Sequence, residues 1–308
     1  MDILDIQQVT KTYASHIALK NVSLRVPKGS IYGLLGPNGA GKTSLIRIIT
    51  QITAADSGQI LFNGEKLASS HIARIGYLPE ERGLYKKMKV GEQLVYLARL
   101  KGLSTSEVKK KLAYWVKQFD ISTWWGKPVE DLSKGMQQKV QFIATVMHEP
   151  ELLILDEPFS GFDPVNANII KDEILKLRER GCSIIFSTHR MESVEELCDY
   201  IALINKSEKI LEGLKADIKN QYRSNTFMLE TSTTFEEVPG LFHIQQQHKN
   251  EYGRIFTRLQ LSATSTNDLL GHLIQQTDVY SLQEHLPTMN EIFIKSVGAE
   301  KAAELLES

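Results

Sequence analysis

The 308-residue chain is 42% hydrophobic and 24% charged, with a formal net charge of −1, which suits a large core domain plus a smaller one and gives no electrostatic support for nucleic-acid binding. Its two cysteines, Cys182 and Cys198, are more typical of reduced cytosolic thiols than of a disulfide framework. Because residues 1–5 lack the features of a signal peptide and no stretch approaches the roughly 20 apolar residues of a membrane span, we expect a cytoplasmic chain that reaches a membrane only through a partner.

Strands are predicted over residues 3–9, 18–26 and 30–35, where apolar residues alternate with polar ones or run together between turn signals. Tyr13 falls in the loop after the first of these strands. Its ring could stack on an adenine or could be an ordinary edge aromatic, and its position alone favours neither interpretation.

Residues 36–43 match the phosphate-loop pattern G-x-x-x-x-G-K-[ST] without a mismatch. The loop follows an apolar strand and opens a helix, so its backbone N–H groups and the helix N-terminus can converge on phosphate oxygens. Lys42 would reach the β- and γ-phosphates, and the Thr43 hydroxyl would ligate Mg²⁺. The sequence therefore predicts a nucleoside triphosphate site with Mg²⁺, formed by Gly36, Pro37, Asn38, Gly39, Ala40, Gly41, Lys42, Thr43 and Ser44.

After predicted strands at residues 60–65 and 75–79, the apolar residues of about 80–134 recur with a helical period. Residues 91–100 and 108–119 each carry one apolar face, and Ser104 with Glu107 forms a capping box before the second. This pattern predicts an all-helical insertion within an α/β chain. Trp124 and Trp125 lie near its end, where we expect them to be buried.

A continuous apolar run at residues 152–155 predicts a strand that is buried on both faces, as in a parallel sheet, and residues 182–189 and 200–204 are predicted as the next buried strands. Helices are predicted over 136–148 and 166–180, so that helices and strands alternate. This order indicates an open α/β sheet whose ligands bind at the carboxyl ends of its strands.

Charged side chains follow two of these buried runs. Asp156 can hold the Mg²⁺ that Thr43 shares, directly or through water, and Glu157 can polarise a water in line with the γ-phosphate. His189 ends a strand that we expect to neighbour the Asp156 strand, which favours a γ-phosphate sensor over a core histidine.

Beyond residue 218 the composition becomes polar, and we predict a small α+β domain over residues 219–308. Strands are predicted at 227–230 and 279–285, with a hairpin formed by 241–246 and 254–261. Ser265 and Thr288 should cap two helices. No recognisable catalytic set lies in this region.

In order along the chain, the motifs of residues 1–218 resemble the nucleotide-binding subunit of an ABC transporter. The resemblance rests on the phosphate loop, the run from Leu132 to Met136, Asp156-Glu157-Pro158, Ser160-Gly161-Phe162-Asp163 and His189. It implies an α/β P-loop NTPase fold of the ABC type, with a helical subdomain at about 80–134.

The resemblance also implies a role for several side chains. Tyr13 becomes the adenine-stacking aromatic, Glu157 the catalytic base and His189 the switch histidine. Ser133 and Gly135 would contact the γ-phosphate held by the opposite subunit, where the start of a helix suits an anion. Asp163 ends the loop that communicates across the dimer, and we count it among the nucleotide-binding residues.

Three residues depart from the commonest family pattern. Lys134 and Met136 occupy the third and fifth places of a signature that is usually Leu-Ser-Gly-Gly-Gln, and Glu80 stands where the family usually has glutamine. The Glu80 carboxylate can still meet Mg²⁺ but adds negative charge near the phosphates. These variants and the C-terminal domain resemble the branch that serves ABC-2-type exporters, including sodium- and drug-efflux-like subunits.

By resemblance, the chain is an ATPase that works as a homodimer or as a pseudo-symmetric heterodimer, with two ATP molecules at the interface. It would drive export through a separate integral membrane permease that docks near Glu80 and the helical insertion, at the cytoplasmic face of the membrane. A soluble ABC ATPase of translation or DNA repair is one alternative, which the single cassette and the low net charge disfavour. A non-hydrolysing regulatory module is another, which the set of Asp156, Glu157 and His189 disfavours.

Overall fold

The computed structural model describes residues 1–81, 83–262 and 265–307. The chain divides into two compact units, Met1–Lys215 and Ala216–Ser308, and each has a hydrophobic core of its own. No helix within the described ranges is both long enough and apolar enough to cross a membrane.

The first unit contains two β-sheets with helices around them. Its strands are β1 (Asp2–Tyr13), β2 (His16–Pro27), β3 (Ile31–Leu35), β4 (Ser57–Phe62), β5 (Glu65–Lys66), β6 (Ile75–Leu78), β7 (Leu152–Asp156), β8 (Ser183–Thr188), β9 (Tyr200–Asn205) and β10 (Glu208–Leu214). Its helices are α1 (Lys42–Ile49), α2 (Val90–Leu100), α3 (Thr105–Phe119), α4 (Lys134–Val146), α5 (Pro164–Glu179) and α6 (Met191–Leu197), with short 3₁₀ segments at Ser69–Arg74, Ser122–Trp124 and Val129–Asp131.

The larger sheet has the strand order β10-β9-β3-β8-β7-β6. Strands β3, β7 and β8 are buried along their whole lengths, and the pairs β3–β8, β3–β9, β7–β8 and β6–β7 are all parallel. The register pairs Leu35 with Thr188 and Asp156 with Ser187. The carboxyl ends of these strands therefore meet at one edge of the sheet, which confirms the predicted open α/β sheet.

The smaller sheet of the first unit is antiparallel and has the order β2-β1-β4-β5. Strands β1 and β2 are longer than predicted, because their hairpin closes with a two-residue turn between Tyr13 and His16, whereas the strand predicted at residues 60–65 is divided between β4 and β5. Tyr13 therefore ends a strand and does not lie in the loop where we predicted it.

The helical segment contains α2 and α3, and α3 begins at the predicted capping box: Ser104 accepts from the Glu107 N–H, and Glu107 accepts from the Ser104 N–H. The predicted burial of the two tryptophans is wrong, since Trp124 is half-buried and Trp125 is 39% exposed. The exposed Trp125 has a close neighbour in α2. Its ring lies over Gly91, where an added Cβ would come within 2.2 Å of Trp125 Cε2. The glycine leaves room for the ring on the surface of α2.

The second unit is built on an antiparallel sheet with the order β12-β13-β11-β14. Its elements are β11 (Thr226–Thr231), β12 (Phe242–Lys249), β13 (Ile255–Leu261), α8 (Thr266–Leu273), β14 (Val279–His285) and α9 (Met289–Glu307), and a further helix, α7 (Lys215–Gln221), begins at the boundary between the units. Asn250 closes the β12–β13 hairpin, since its Oδ1 accepts from the N–H groups of Tyr252 and Arg254. The hydrophobic core of this unit includes Leu229, Leu259 and Leu269, none of which is exposed.

Candidate functional site

The phosphate loop lies between β3 and α1, at the sheet edge where the parallel strands end. Gly41 has a φ of 113°, and an added Cβ would come within 2.3 Å of the Ala18 carbonyl oxygen. At Gly36, with a φ of 150°, an added Cβ would come within 2.1 Å of the Ile204 carbonyl oxygen. Only glycine fits both positions, because they combine a left-handed φ with close contact to a neighbouring backbone.

Lys42 is the first residue of α1, and its ammonium group turns back into the loop. Its Nζ donates to the carbonyl oxygens of Gly36, at 2.7 Å, and Pro37, at 3.1 Å. Burial lowers the pKa of Lys42, while the carboxylates of Glu157, Asp156 and Glu80 oppose that change. The loop thus holds the Lys42 ammonium group, which can exchange its two carbonyl partners for the phosphate oxygens of a nucleotide.

Asp156 ends β7 beside the first turn of α1. Its Oδ1 accepts from the Ser187 hydroxyl at 2.8 Å, and its Oδ2 lies 3.5 Å from Thr43 Oγ1. Burial raises the pKa of Asp156 despite the Ser187 hydrogen bond, and the nearby charges of Glu157 and Glu80 act in the same direction. Ser187 was not predicted, although it stands one residue before Thr188 at the end of the neighbouring strand.

The oxygen atoms of Thr43, Asp156 and Glu80 have the chemistry that Mg²⁺ requires, and Asp156 with Glu80 lines the same cavity as Thr43. Among the described residues no group of three or more His, Cys, Asp or Glu side chains is arranged to hold a metal alone. Mg²⁺ is usually bound by one or two carboxylates together with water and substrate phosphates, and Thr43, Asp156 and Glu80 offer such oxygen atoms beside the phosphate loop.

The raised pKa of Asp156 predicts that its charge destabilises the nucleotide-free protein. The folded chain favours the protonated carboxyl relative to the unfolded chain, so the ionised form costs stability above the folded pKa, and this cost vanishes below the ordinary value of 3.8. We expect Asp156→Asn to raise the thermal unfolding midpoint at neutral pH, by about 2–4 °C for each kcal/mol recovered. The gain should shrink as the pH is lowered.

Asp163→Asn is the control for this measurement, because a hydrogen bond from the Asn166 backbone lowers the pKa of Asp163. Its substitution should not stabilise the protein at neutral pH. An Asp156→Asn variant that melts at or below the wild-type temperature at neutral pH would contradict the argument.

Glu157 follows Asp156 with a φ of 49°, a left-handed conformation that turns the chain out of the sheet. Its Oε1 accepts from the His189 N–H at 2.9 Å and lies 2.6 Å from His189 Nδ1. Its Oε2 accepts from the Thr188 hydroxyl at 3.0 Å. The structure thus brings the predicted base and the predicted switch histidine into direct contact, and it adds Thr188, which the sequence analysis missed.

A cavity of about 240 Å³ lies over the loop and joins most of the predicted residues. It is lined by Tyr13, His16, Ala18, Asn38, Gly39, Ala40, Gly41, Lys42, Thr43, Ser44, Glu80, Asp156 and Glu157. His16 was not predicted, and the two-residue turn after Tyr13 is what brings it there. The cavity therefore extends from the aromatic ring of Tyr13 to the carboxylates of Asp156 and Glu157.

Ser133, Gly135 and Asp163 do not belong to the residues that line this cavity in the described chain. Ser133 is the N-cap of α4, where its Oγ accepts from the Met136 N–H at 3.3 Å, and Gly135 lies in the first turn. Asp163 is the N-cap of α5 and accepts from the Asn166 N–H at 3.0 Å. These three residues therefore lie outside the cavity that the phosphate loop forms in one subunit.

The comparison with known proteins and the geometry of the site both indicate a nucleotide-binding protein. Residues 19–160 match the profile of the ABC transporter family, and residues 213–297 match the C-terminal domain of DrrA1-3-like ATP-binding proteins. The chain is 41% identical over 301 residues to the uncharacterized ABC transporter ATP-binding protein YhaQ of Bacillus subtilis, covering 96% of this chain and 99% of the relative. It is also 30% identical over 309 residues to the linearmycin resistance ATP-binding protein LnrL of the same organism, covering 96% and 98%.

A solved structure described as the ATP-binding subunit of an ABC transporter superposes with a TM-score of 0.68 at 29% identity, covering 71% of this chain and 93% of the other. The resemblance that the motifs predicted is confirmed, and so is the fold. With a phosphate loop, paired carboxylates at the adjoining strand end and relatives matched over nearly their whole length, the chain belongs to the ATP-binding proteins of ABC transporters, whose cassette is an ATPase.

Proposed function

We propose that this chain is the ATPase subunit of an exporter and that it works as a dimer with a separate membrane permease. The observation that carries the proposal is the meeting of Lys42, Thr43, Asp156 and Glu157 at one sheet edge, with His189 hydrogen-bonded to Glu157. The relative LnrL, named for linearmycin resistance, supports export as the process that hydrolysis drives.

In this proposal each residue of the site acts on ATP. Lys42 and the loop N–H groups bind the phosphates, and Tyr13 offers a ring for the adenine. Thr43, Asp156 and Glu80 would hold Mg²⁺, which supplies positive charge to the β- and γ-phosphates when bound. Glu157 orients and deprotonates the attacking water once His189 has turned from it toward the γ-phosphate.

Dimerisation follows from the residues that lie outside the cavity. Ser133 and Gly135 stand at the N-terminus of α4, where backbone N–H groups and the helix dipole favour an anion. The γ-phosphate bound to one subunit would meet this terminus of the other, so ATP would hold two subunits together. Hydrolysis would remove that contact and let the dimer open.

A groove of about 730 Å³ in the first unit suits the permease. Ile52, which is 62% exposed, and Leu100, which is 64% exposed, lie on it together with Tyr77, Leu84 and Leu97. His148 also lines the groove, and burial lowers its pKa to about 4, so its ring is neutral at physiological pH. An exposed apolar surface of this kind fits a protein partner.

The groove also adjoins the nucleotide site. Pro79 and Gln141 line both the groove and a smaller cavity that reaches Glu80, Asp156 and Glu157. A permease segment seated in the groove would therefore contact the loop that carries Glu80, and this supports the groove as the docking site.

Co-purification tests the proposed function. The tagged chain, extracted from its own cells under gentle solubilisation, should bring down a stoichiometric polytopic membrane protein. Leu100→Glu should lose that protein, since a charge would enter the apolar groove, while its nucleotide affinity stays that of the wild type. Recovery of the wild-type chain only from the soluble fraction, with ribosomal or DNA-bound partners, would overturn the export proposal.

A further inference from the structure

Gln141 is one of two polar residues in the buried part of helix α4, the other being Thr145. Gln141 lies between Val140 and Phe142, and it is only 6% exposed. Burying an amide is unfavourable unless its hydrogen-bonding groups find partners. The partners of Gln141 therefore indicate what the residue does.

The side-chain amide of Gln141 points at the loop that carries Glu80. Its Nε2 lies 3.3 Å from the Glu81 carbonyl oxygen and 3.5 Å from the Pro79 carbonyl oxygen. The NH₂ group has two N–H donors, so it can serve both carbonyls at once. These two carbonyls stand on either side of Glu80, in a segment that leaves β6 without forming a helix or strand.

A second glutamine of α4 contacts the other loop of the site. Gln138 lies three residues before Gln141, and it therefore lies on the same side of the helix. Its Nε2 donates to the Ser160 carbonyl oxygen, in the loop that follows Glu157. Helix α4 thus holds the Glu80 segment with one side chain and the segment after Glu157 with another.

Between these contacts is a cavity of about 10 Å³ that is lined in part by Glu80, Gln138, Gln141, Asp156 and Glu157. The position of Glu80 relative to the other two carboxylates matters, because the energy of like charges depends on their separation. The charge of Glu80 already acts on both Asp156 and Lys42. Whatever fixes the Glu80 segment fixes this arrangement of charge.

We propose that Gln141 is a positioning residue for Glu80: by donating to the carbonyls of Pro79 and Glu81, it holds the Glu80 carboxylate beside Thr43 and Asp156, where Mg²⁺ and nucleotide bind. The inference deepens the proposed function and rests on its assignment of Glu80 to the metal. If the inference holds, the contribution of Mg²⁺ to nucleotide affinity depends on the side chain of Gln141, which contacts neither the metal ion nor the nucleotide.

The test is calorimetric titration of the purified full-length chain with the β,γ-imido analogue of ATP, in excess Mg²⁺ and again in EDTA. The ratio of the dissociation constant in EDTA to the dissociation constant in Mg²⁺ measures how much Mg²⁺ contributes to the affinity for the analogue. Gln141→Met keeps the size of the side chain and removes the donors. It should reduce the ratio about tenfold, as loss of an outer partner commonly does at metal sites, and leave the affinity in EDTA unchanged.

Gln141→Glu is the second variant, because its carboxylate oxygen would face the same two carbonyl oxygens and should reduce the ratio at least as much. Thr145→Val is the matched control: it lies one turn further along α4, and its hydroxyl donates to the Gln141 carbonyl within the helix at 2.8 Å. Its ratio should be that of the wild type. Thermal unfolding of each variant separates loss of the fold from loss of positioning.

A double-mutant cycle decides whether Gln141 acts through Glu80. In a Glu80→Ala background, Gln141→Met should change the ratio no further. A full wild-type ratio in Gln141→Met, an equal loss of affinity in EDTA, or an undiminished effect in the Glu80→Ala background would each overturn the inference alone. A wild-type chain that binds the analogue equally with and without Mg²⁺ would overturn the magnesium assignment of the proposed function, and the inference with it.

Discussion

Glu157→Gln should slow ATP hydrolysis by about 10²–10⁴-fold, the range by which general-base catalysis accelerates reactions, while nucleotide still binds. Glutamine has the size of glutamate but cannot take a proton from water. Its amide oxygen can still accept from the His189 backbone N–H, which donates to the wild-type side chain at 2.9 Å. Its amide NH₂ takes the place of the oxygen that accepts from the Thr188 hydroxyl at 3.0 Å and can donate to that hydroxyl instead. The fold of the site should therefore be kept while the chemistry is lost.

A subunit that binds ATP without consuming it should accumulate as a dimer. The measurements are phosphate release at saturating ATP and Mg²⁺, and molar mass by light scattering with the same ligands. Glu92→Gln makes the same chemical change on an exposed side chain of α2 and should match the wild type in both. A Glu157→Gln chain that turns over at the wild-type rate, or that stays monomeric at saturating ATP and Mg²⁺, would contradict the assigned role.

Lys42→Ala should weaken ATP binding by about tenfold to a hundredfold. A hydrogen bond to a charged group contributes about 1.5–3 kcal/mol, and 1.4 kcal/mol is tenfold in affinity. The ammonium group of Lys42 is already inside the loop, where two carbonyl oxygens hold it. Calorimetric titration with ATP and Mg²⁺ measures the loss directly.

Lys101 provides a closely matched control. It is a half-buried lysine whose Nζ, like that of Lys42, donates to two carbonyl oxygens, those of Ile72 and Ile75, both at 2.8 Å. It lines the groove and not the nucleotide cavity. Lys101→Ala should lower thermal stability and leave ATP affinity unchanged, whereas equal losses of affinity in the two variants would remove Lys42 from the binding site.

The residues that could be predicted from the sequence are those whose position follows from local pattern. The phosphate loop depends on glycine spacing, Asp156 ends a buried apolar strand, and His189 directly follows another buried strand. In a parallel sheet such ends meet at one edge, so the meeting of these residues follows from counting strands. The capping boxes at Ser104 and Ser265 were also predicted correctly, because a capping box depends only on two residues three positions apart.

The residues that could not be predicted owe their role to contacts between distant segments. Ser187 reaches Asp156 because β7 and β8 pair in one particular register, and Gln141 reaches the Glu80 segment across 60 residues of chain. A sequence pattern shows that such strands and helices exist but not how they are aligned. Trp125 illustrates the same limit, since its exposure depends on the glycine beneath it in α2.

The two separate cores have a consequence for every melting experiment on this chain. Two units with their own cores can unfold in two steps, and a single midpoint then describes neither of them. All three tryptophans, at positions 115, 124 and 125, belong to the first unit. Tryptophan fluorescence therefore follows the unit that binds nucleotide, while a calorimetric scan follows both, and the difference between the two signals isolates the C-terminal unit without cutting the chain.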